Sequence, residues 1–248
     1  MKVKERLIDF VQYETTSYED SPTCPSNPLE FKLAEHLVEV MKEIGILDAH
    51  MDENGYVYGY IDANADAPTI GLIAHMDTSS AASGKDVHPR VIENYDGNDI
   101  VLSDSLTTEV RRFPQMKNHK GKTLIVTDGN TLLGGDDKAG IAIALEVAEY
   151  LLNHPETKHG KVYFGFNPDE EIGRGADLFD LDYFKCDFAY TIDGSAPEEM
   201  EFENFNAAAA VVTITGISTH HCGGDAFAGH DHTELCAQQV RLMHGLPE

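Results

Sequence analysis

The residues best suited to chemistry lie in one acidic turn, residues 134–140, which reads Gly-Gly-Asp-Asp-Lys-Ala-Gly. Small residues on both sides of two adjacent carboxylates allow the backbone to bend closely around a cation. A metal ion would suit this turn. The alternative is the acidic start of a helix, because carboxylates favour the first turn of any helix through capping and the helix dipole.

Three other clusters of acidic or imidazole side chains follow apolar runs that are typical of buried β-strands. The clusters read His75-Met76-Asp77-Thr78, Asn167-Pro168-Asp169-Glu170-Glu171 and Asp193-Gly194. In an open α/β sheet, ligands bind at the carboxyl ends of the strands. We therefore expect four strands, counting the one before the acidic turn, to bring these polar residues to one edge of a sheet.

Two of the clusters contain the residue pairs that metal-assisted hydrolysis needs. A carboxylate at Asp77 that accepts the ring N–H of His75 would fix the tautomer and raise the basicity of the nitrogen that binds a metal. One of Glu170 and Glu171 could bind a metal while the other takes a proton from water. The alternatives are an ordinary hydrogen bond made by a histidine at a strand end and an acidic helix start at the two glutamates.

Two helices are predicted before the first of these clusters. Apolar residues recur at helical spacing in residues 3–11, which predicts a short amphipathic helix. The second helix has Asn27 as a plausible N-cap, Pro28 at its first position and Glu30 where a capping box requires it. Gly45 ends its apolar stripe. Both helices are interpreted as scaffold.

Strands and helices then alternate along the chain. Strands are predicted at residues 55–61, 69–74 and 123–127, and a helix at residues 141–153 follows the acidic turn. The second of these strands is apolar on both faces, which is typical of a parallel strand covered by helices on both sides. Residues 80–115 are polar and irregular and form a long excursion that could cover a cleft. This alternation predicts a parallel sheet in an α/β fold.

In this order, H-M-D-T, G-G-D-D-K-A-G, P-D-E-E-I-G and T-I-D-G resemble the motifs of the M20 family of zinc metallopeptidases. Residues 201–207, which read Glu-Phe-Glu-Asn-Phe-Asn-Ala, extend the resemblance, which covers the chain to about residue 217. The resemblance implies a three-layer αβα catalytic domain with a mostly parallel sheet in residues 1–200. It also implies that residues 201–248 begin a small α+β lid domain.

The resemblance implies a site for two zinc ions, with ligands carried over residue by residue. His75 and Asp193 would hold one zinc ion, and Glu171 would hold the other. Asp136 would bridge the two ions, which suits a carboxylate ligand of zinc. In this family a cis peptide bond follows the bridging aspartate, and it is therefore expected between Asp136 and Asp137.

Two further residues would take part in the reaction. The resemblance implies that Asp77 orients His75 and that Glu170 is the general base. The implied reaction is the release of the N-terminal residue from a short peptide, with a preference for tripeptides. Family members that cleave dipeptides or acylated amino acids provide the alternative enzyme activity.

The resemblance also implies a chain that continues beyond the end of this one. Family chains complete the lid and return to the catalytic domain with a last histidine ligand for the second zinc ion. We therefore expect a truncated form whose second zinc ion is weakly held, and a non-catalytic remnant is the alternative to an active enzyme. Residues 218–248 are rich in histidine and cysteine, and we interpret them as the product of a shifted reading frame rather than as a third metal site.

The composition excludes several classes of partner. A formal net charge of -25 and a pI near 4.6 argue against nucleic acids and anionic membranes, which are polyanions. No run approaches the ~18 apolar residues of a membrane span, and the first residues lack a signal-peptide pattern. The four cysteines are widely spaced, which favours reduced thiols. We expect a cytoplasmic protein that binds a short peptide. The family resemblance implies that a homodimer contact would use the lid, which is incomplete here.

Overall fold

The computed structural model describes residues 2–194 and 199–202 of the 248-residue chain. The chain divides into two compact units, Met1–Met200 and Glu201–Glu248, and the fold below is that of the first unit. Nearly all of the predicted lid, residues 203–248, including the tail at residues 218–248, lies outside the described residues. Within the described residues, no helix combines the length and the apolar composition needed to cross a membrane.

The described part of the chain contains three α-helices, nine strands and two 3-10 helices. The α-helices are α1 (Val3–Phe10), α2 (Glu30–Ile44) and α3 (Gly135–Asn153). The strands are β1 (Leu47–Met51), β2 (Val57–Ile61), β3 (Ile70–His75), β4 (Arg90–Ile92), β5 (Ile100–Val101), β6 (Thr107–Thr108), β7 (Leu124–Val126), β8 (Val162–Asn167) and β9 (Phe188–Thr191). The 3-10 helices are Pro114–His119 and Glu170–Ile172.

The central sheet has five strands in the order β1-β2-β8-β3-β9. β8, β3 and β9 run parallel, whereas β2 pairs antiparallel with β8 and β1 pairs antiparallel with β2. β3 pairs with β8 from Ile70 opposite Val162 to His75 opposite Asn167. Because parallel strands end at the same edge of a sheet, the residues that follow β3, β8 and β9 meet there.

One face of the central sheet is buried against the helices. Leu72 of β3 and Phe164 of β8 point to this face, as the alternation of side chains along a strand requires. They belong to one apolar core with Leu37 of α2 and Leu145 of α3, and all but Leu72 are fully buried. This core holds α3 against β3, so the helix that starts at the acidic turn is fixed to the strand that ends at His75.

The opposite face of the sheet is covered by aromatic side chains from the chain after the second 3-10 helix. Tyr58 and Tyr163 project from the sheet and contact Phe179 and Phe184, with ring centroids 5.3 and 5.5 Å apart for the pairs Tyr58–Phe179 and Tyr163–Phe184. The hydroxyl oxygen of Tyr58 also accepts a hydrogen bond from the main-chain N–H of Asp180 at 2.8 Å. In the described residues this layer is therefore a packed loop, whereas the other layer is helical.

The strand before the acidic turn is not part of the central sheet. β7 pairs antiparallel with β4 in a separate two-stranded sheet, with Arg90 opposite Val126. The prediction that four strands of one sheet end together is therefore wrong in this respect. Three strands do so, and the acidic turn reaches their edge from outside, because both edges of β3 are already occupied by β8 and β9.

The excursion predicted as irregular contains several short elements. β4, β5, β6 and the 3-10 helix Pro114–His119 all lie at or within its bounds, and β5 pairs antiparallel with β6. β1 was likewise not predicted. Elements of two to six residues leave little periodicity in a sequence, and their partners are set by tertiary contacts.

Helix α2 begins later than predicted, at Glu30. Asn27 still contributes to its start, because its Oδ1 accepts a hydrogen bond from the main-chain N–H of Leu29 at 3.0 Å. Burial raises the pKa of the Glu30 carboxyl group to about 9, and the main-chain N–H groups of Asn27 and Asp169 oppose this rise. The main-chain N–H of Asn27 is the donor that the predicted capping box would use. Gly45 ends the helix in the left-handed conformation, with φ of 95°, as predicted.

Candidate metal centre

His75 is the last residue of β3, and 2% of its side chain is exposed. Its Nδ1 lies 3.1 Å from the main-chain oxygen of Asp77 and 3.3 Å from Oδ1 of the same residue. Its Nε2 lies 3.0 Å from Oδ1 of Asp136. An imidazole whose Nδ1–H is held by Asp77 presents the lone pair of Nε2, which is the arrangement of a metal-binding histidine.

Asp77 is completely buried, and its carboxylate contacts several groups. In addition to Nδ1 of His75, it accepts hydrogen bonds from the main-chain N–H groups of Glu170 at 2.9 Å and Glu171 at 3.0 Å. Although burial alone would raise it, the hydrogen bond and charge of His75 hold the pKa of Asp77 below its ordinary value. One carboxylate therefore fixes the histidine and the two glutamates relative to each other.

The acidic turn directs its two carboxylates to different places. Gly134 has a left-handed backbone with φ of 75°, and the Asp136–Asp137 peptide bond is cis, as the family resemblance implied. Asp136 contacts His75 and leaves 71% of its side chain exposed. Asp137 is buried and accepts hydrogen bonds from the main-chain N–H groups of His75 at 3.2 Å and Gly140 at 3.1 Å. Asp137 therefore holds the acidic turn against the end of β3.

Gly140 allows α3 to approach the end of β9 closely. A Cβ atom at this position would lie 2.3 Å from Oδ1 of Asp137 and 2.4 Å from the main-chain oxygen of Ile192. Both distances are far below van der Waals contact, so only glycine fits here. The close approach brings the acidic turn beside Asp193, which follows Ile192 in the chain.

Glu170 and Glu171 lie in a single 3-10 turn after β8. The preceding residue, Asp169, has a left-handed backbone with φ of 58°, and both of its carboxylate oxygens lie 2.9 Å from the main-chain nitrogen of Ser26. The Oε2 atom of Glu170 lies 3.8 Å from Nε2 of His75. This 3-10 turn, Glu170–Ile172, is called the glutamate turn below. It is held on one side by the contact between Asp169 and Ser26 and faces the imidazole of His75 on the other.

The residues predicted as metal ligands converge around the imidazole. His75, Asp136 and Glu171 offer ligand atoms that all lie within 4.8 Å of one another, and so do His75, Asp137 and Asp193. Oδ2 of Asp193 lies 3.7 Å from Nε2 of His75. Asp137 was not predicted as a ligand, and its two oxygens already accept main-chain N–H groups, so Asp136 is the better donor of the pair.

The pKa values indicate that this cluster favours a cation. Burial is the largest cause of the raised pKa of Glu170, Glu171 and Asp193, and neighbouring carboxylates add to it. Burial alone would lower the pKa of His75, but its hydrogen-bonded carboxylate and the other acids raise it to about 10. A bound metal ion would offset the repulsion among the carboxylates. Imidazole nitrogen and carboxylate oxygen are ligands that zinc accepts, so the residues present fit this ion.

Three residues that support the cluster were not singled out from the sequence: Asp137, Lys138 and Asp169. Lys138 is 2% exposed, and burial lowers its pKa to about 8 against the attraction of Glu30 and Asp77. A lysine inside an acidic turn and an aspartate before a glutamate pair were the available signals. Neither signal gives the direction of the side chain, which depends on contacts with distant parts of the chain.

Comparison with known proteins connects these motifs to a family. Residues 123–239 match the family described as Peptidase family M20/M25/M40. The chain is 53% identical over 223 residues to Peptidase T of Caldanaerobacter subterraneus subsp. tengcongensis, with 88% of this chain and 54% of that protein covered. It is 50% identical over 223 residues to Peptidase T of Clostridium acetobutylicum, with 88% and 55% covered. The chain thus spans about half the length of the curated relatives it matches.

Solved structures share the fold. The aminopeptidase PepT from Bacillus cereus ATCC 10987 superposes with a TM-score of 0.56 at 22% identity, covering 79% of this chain and 43% of that chain. A tripeptidase from Staphylococcus aureus subsp. aureus Mu50 superposes with a TM-score of 0.55 at 24% identity, covering the same shares. The sequence identity and the family match agree that the chain contains a Peptidase M20 domain and is a homologue of proteins named Peptidase T.

Proposed function

We propose that this chain is a zinc-dependent aminopeptidase that releases the N-terminal residue from short peptides and prefers tripeptides. The observation that carries the proposal is the convergence of Nε2 of His75 with carboxylate oxygens of Asp136, Glu171 and Asp193. The identity of about half of the aligned residues to proteins named Peptidase T supports a peptide substrate. The preference for tripeptides rests on that resemblance.

The proposed ligands divide between two zinc ions. His75 and Asp193 would hold one ion, Glu171 would hold the other, and Asp136 would be shared. The contact of Nδ1 of His75 with Asp77 supports His75 as a ligand, because it leaves Nε2 free to bind. When bound, zinc acts as a Lewis acid that polarises the carbonyl of the scissile peptide bond.

Glu170 is the proposed general base. Its carboxylate lies 3.8 Å from Nε2 of His75, and its raised pKa suits a group that must both take and return a proton near neutral pH. It takes a proton from the water molecule that attacks the carbonyl carbon. As the C–N bond breaks, Glu170 returns this proton to the departing amine, so that the free amino acid and the shortened peptide leave.

We extend the proposal to the setting of the enzyme. Cys24 and Cys186 are free thiols, which suits the reducing cytosol. The net charge of -25 favours a small peptide over a nucleic acid as the partner. The carboxylates around His75 also suit the positively charged amine of a free peptide N-terminus.

Two variants separate metal binding from turnover. We expect Glu170→Gln to keep its zinc and to lose at least about 100-fold in kcat, because only proton transfer is removed. We expect Asp136→Asn to bind zinc more weakly, because a shared charged ligand is lost. Zinc per chain and tripeptide hydrolysis are measured on the same samples, with the exposed Asp62→Asn as the matched control. Full activity of the Glu170→Gln variant would contradict the proposed role of the base.

The substrate class is tested with three peptides that share one sequence. We expect hydrolysis of the free tripeptide, slower hydrolysis of the dipeptide, and no hydrolysis of the N-acetylated tripeptide. Faster cleavage of the dipeptide or of an acylated amino acid would instead place the chain with the other hydrolases of this family. Zinc binding without any hydrolysis would favour the non-catalytic alternative.

A further inference from the structure

Arg174 lies shortly after the glutamate turn and has no part in the proposed reaction. Its guanidinium group contacts two main-chain oxygens of the loop formed by residues 15–26, which is called the N-terminal loop below. Nη1 donates a hydrogen bond to the oxygen of Ser21 and Nη2 donates one to the oxygen of Thr23, both at 3.1 Å. The arginine side chain is 28% exposed. Because the donors of a guanidinium group have fixed directions, one side chain holds both carbonyls at a set spacing.

The main chain on both sides of Arg174 is packed against Glu170. The N–H of Gly173 donates a hydrogen bond to the oxygen of Glu170 at 2.7 Å. A Cβ atom at Gly175 would lie 3.2 Å from Cα of Glu170, so these two backbones are in close contact. The N–H of Arg174 itself donates to the main-chain oxygen of Asp169 at 2.9 Å. A displacement of Arg174 would therefore be passed directly to the backbone of Glu170.

The N-terminal loop also holds the residue that precedes the glutamate turn. The main-chain N–H of Ser26 lies 2.9 Å from both carboxylate oxygens of Asp169 and donates to them. The hydroxyl oxygen of Ser26 accepts a hydrogen bond from the main-chain N–H of Tyr18 at 2.9 Å, which closes the loop on itself. Asp169 and Arg174 stand on either side of the two proposed site glutamates in the sequence. One loop therefore holds both ends of the glutamate turn.

The start of the N-terminal loop is attached to the residue that follows the His75 cluster. The main-chain N–H of Thr78 donates a hydrogen bond to the oxygen of Thr15 at 3.0 Å, and the N–H of Ser17 donates one to the oxygen of Thr78 at 3.1 Å. Thr78 is the neighbour in sequence of Asp77, which contacts His75. The loop therefore connects the segment that carries the imidazole to the segment that carries the glutamates.

We infer that Arg174 is a positioning residue of the candidate metal centre, which fixes the end of the glutamate turn to the N-terminal loop. Asp77 holds the start of the same turn through the N–H groups of Glu170 and Glu171. The two contacts together set where the proposed base and the proposed zinc ligand lie relative to His75. This inference rests on the proposed function, because it concerns the same two glutamates.

The first measurement is hydrogen–deuterium exchange of the metal-free, full 248-residue chain, which depends on neither zinc nor turnover. In Arg174→Met, we expect the amides of residues 170–173 to exchange about 10- to 100-fold faster, because two hydrogen bonds from a charged donor no longer hold the turn closed. The amides of residues 70–75 in β3 keep their exchange rates. Arg111→Met is the matched control, since that arginine side chain is 87% exposed, and it leaves both sets of rates unchanged.

The second measurement compares tripeptide hydrolysis by the same proteins after loading with zinc. We expect kcat of Arg174→Met to fall about 10- to 100-fold, because a misplacement of about 1 Å at a reacting group costs that much. We expect KM to change by less than about twofold, because the proposed reaction does not place Arg174 on the substrate. Arg111→Met keeps both constants.

The outcomes separate the inference from the proposed function. No hydrolysis by the unchanged, zinc-loaded chain would overturn the proposed function, and the exchange rates alone would then decide the role of Arg174. Three results from a folded Arg174→Met variant would overturn the inference: unchanged exchange in the glutamate turn, an equal acceleration in β3, or faster exchange in the turn with an unchanged kcat.

A second variant covers the case in which Arg174→Met loses its native circular dichroism. Arg174→Lys is then measured in its place, since lysine keeps the charge and the aliphatic stem but not the rigid arrangement of donors. We expect a smaller change of exchange and kcat in the same direction, and unchanged values would overturn the inference. Loss of the fold in both variants would assign Arg174 to the fold rather than to the site, which also overturns it.

Discussion

At the scale of single residues, the candidate site depends most on Asp77. Its carboxylate faces Nδ1 of His75 and accepts the main-chain N–H groups of Glu170 and Glu171, so one side chain sets the positions of three proposed site residues. An amide at this position could accept only part of these bonds, and its N–H₂ group would face at least one N–H donor. The geometry of the cluster would then loosen while its ligands remained.

Asp77→Asn is therefore expected to weaken zinc binding about 10- to 100-fold. It is also expected to lower the free energy of unfolding of the metal-free chain by about 1 to 3 kcal/mol, because a buried N–H group loses its acceptor. Zinc titration and urea unfolding measure the two effects, with the exposed Asp62→Asn as control. An unchanged zinc affinity and an unchanged free energy of unfolding would show that Asp77 does not position His75 and the two glutamates.

A second prediction at the residue scale concerns Cys24, which lies in the loop whose Ser26 contacts Asp169. Burial, followed by the negative charge of Asp169, raises the pKa of Cys24 to about 11. A thiolate therefore forms in the folded chain only at high pH, about two units above the ordinary pKa of 9.0. At pH 8 we expect iodoacetamide to alkylate Cys24 about 100-fold more slowly in the folded chain than in urea. Mass spectrometry of the Cys24 peptide gives both rates, and equal rates would contradict the packing of this loop.

At the scale of elements, the start of α3 is the critical junction. The helix reaches the end of β9 only because residue 140 is glycine, whose missing Cβ would overlap Asp137 and the oxygen of Ile192. Substitution by alanine must push α3 away from β9 or displace Asp137 from the main chain of His75. Either movement separates the acidic turn from Asp193.

Gly140→Ala is expected to cost about 1 to 3 kcal/mol of unfolding free energy, as overpacking does, and to weaken zinc binding. Gly194→Ala is the matched control: among the described residues a Cβ at Gly194 meets nothing within 4 Å, so we expect a change within about 0.5 kcal/mol. Thermal unfolding and zinc titration of both variants provide the comparison. A tolerated Gly140→Ala would mean that α3 does not approach β9 this closely.

Local patterns predicted the elements that are long or uniformly buried. The stripe of α2, the apolar run of β3 and the helix after the acidic turn all carry their signal within a few neighbouring residues. The pairing of β7 with β4 could not be predicted, because a strand's partner depends on which sheet edges are already filled. The short strands of the excursion left no usable pattern.

The same limit applies to the site. The order of the motifs identified the residues that meet around His75, whereas their supporting contacts join residues far apart in the chain. The bonds from the glutamate turn to Asp77 span 93 and 94 residues, and the bond from Lys138 to Tyr13 spans 125. No periodicity encodes such contacts, and the buried Asp137 could not be distinguished from the exposed Asp136 by residue type.

At the scale of the whole molecule, the proposed zinc binding would couple the site to the fold. The cluster joins the ends of β3 and β8, the residues after β9 and the start of α3, so a metal ion bound there holds four segments together. A ligand that binds only the folded chain raises its free energy of unfolding, by about 2.7 kcal/mol when the free ligand concentration is 100 times the Kd. The chain spans about half the length of its relatives, so its own activity has to be measured on this polypeptide.

The most direct test of the central claim is the zinc content of the purified 248-residue chain, measured together with tripeptide hydrolysis on the same sample. We expect zinc to bind to the purified chain, a chelator to remove both the metal and the turnover, and added zinc to restore them. Asp136→Asn should lose zinc in the same assay. A folded chain that binds no zinc, or that hydrolyses tripeptides equally well after complete metal removal, would contradict the account.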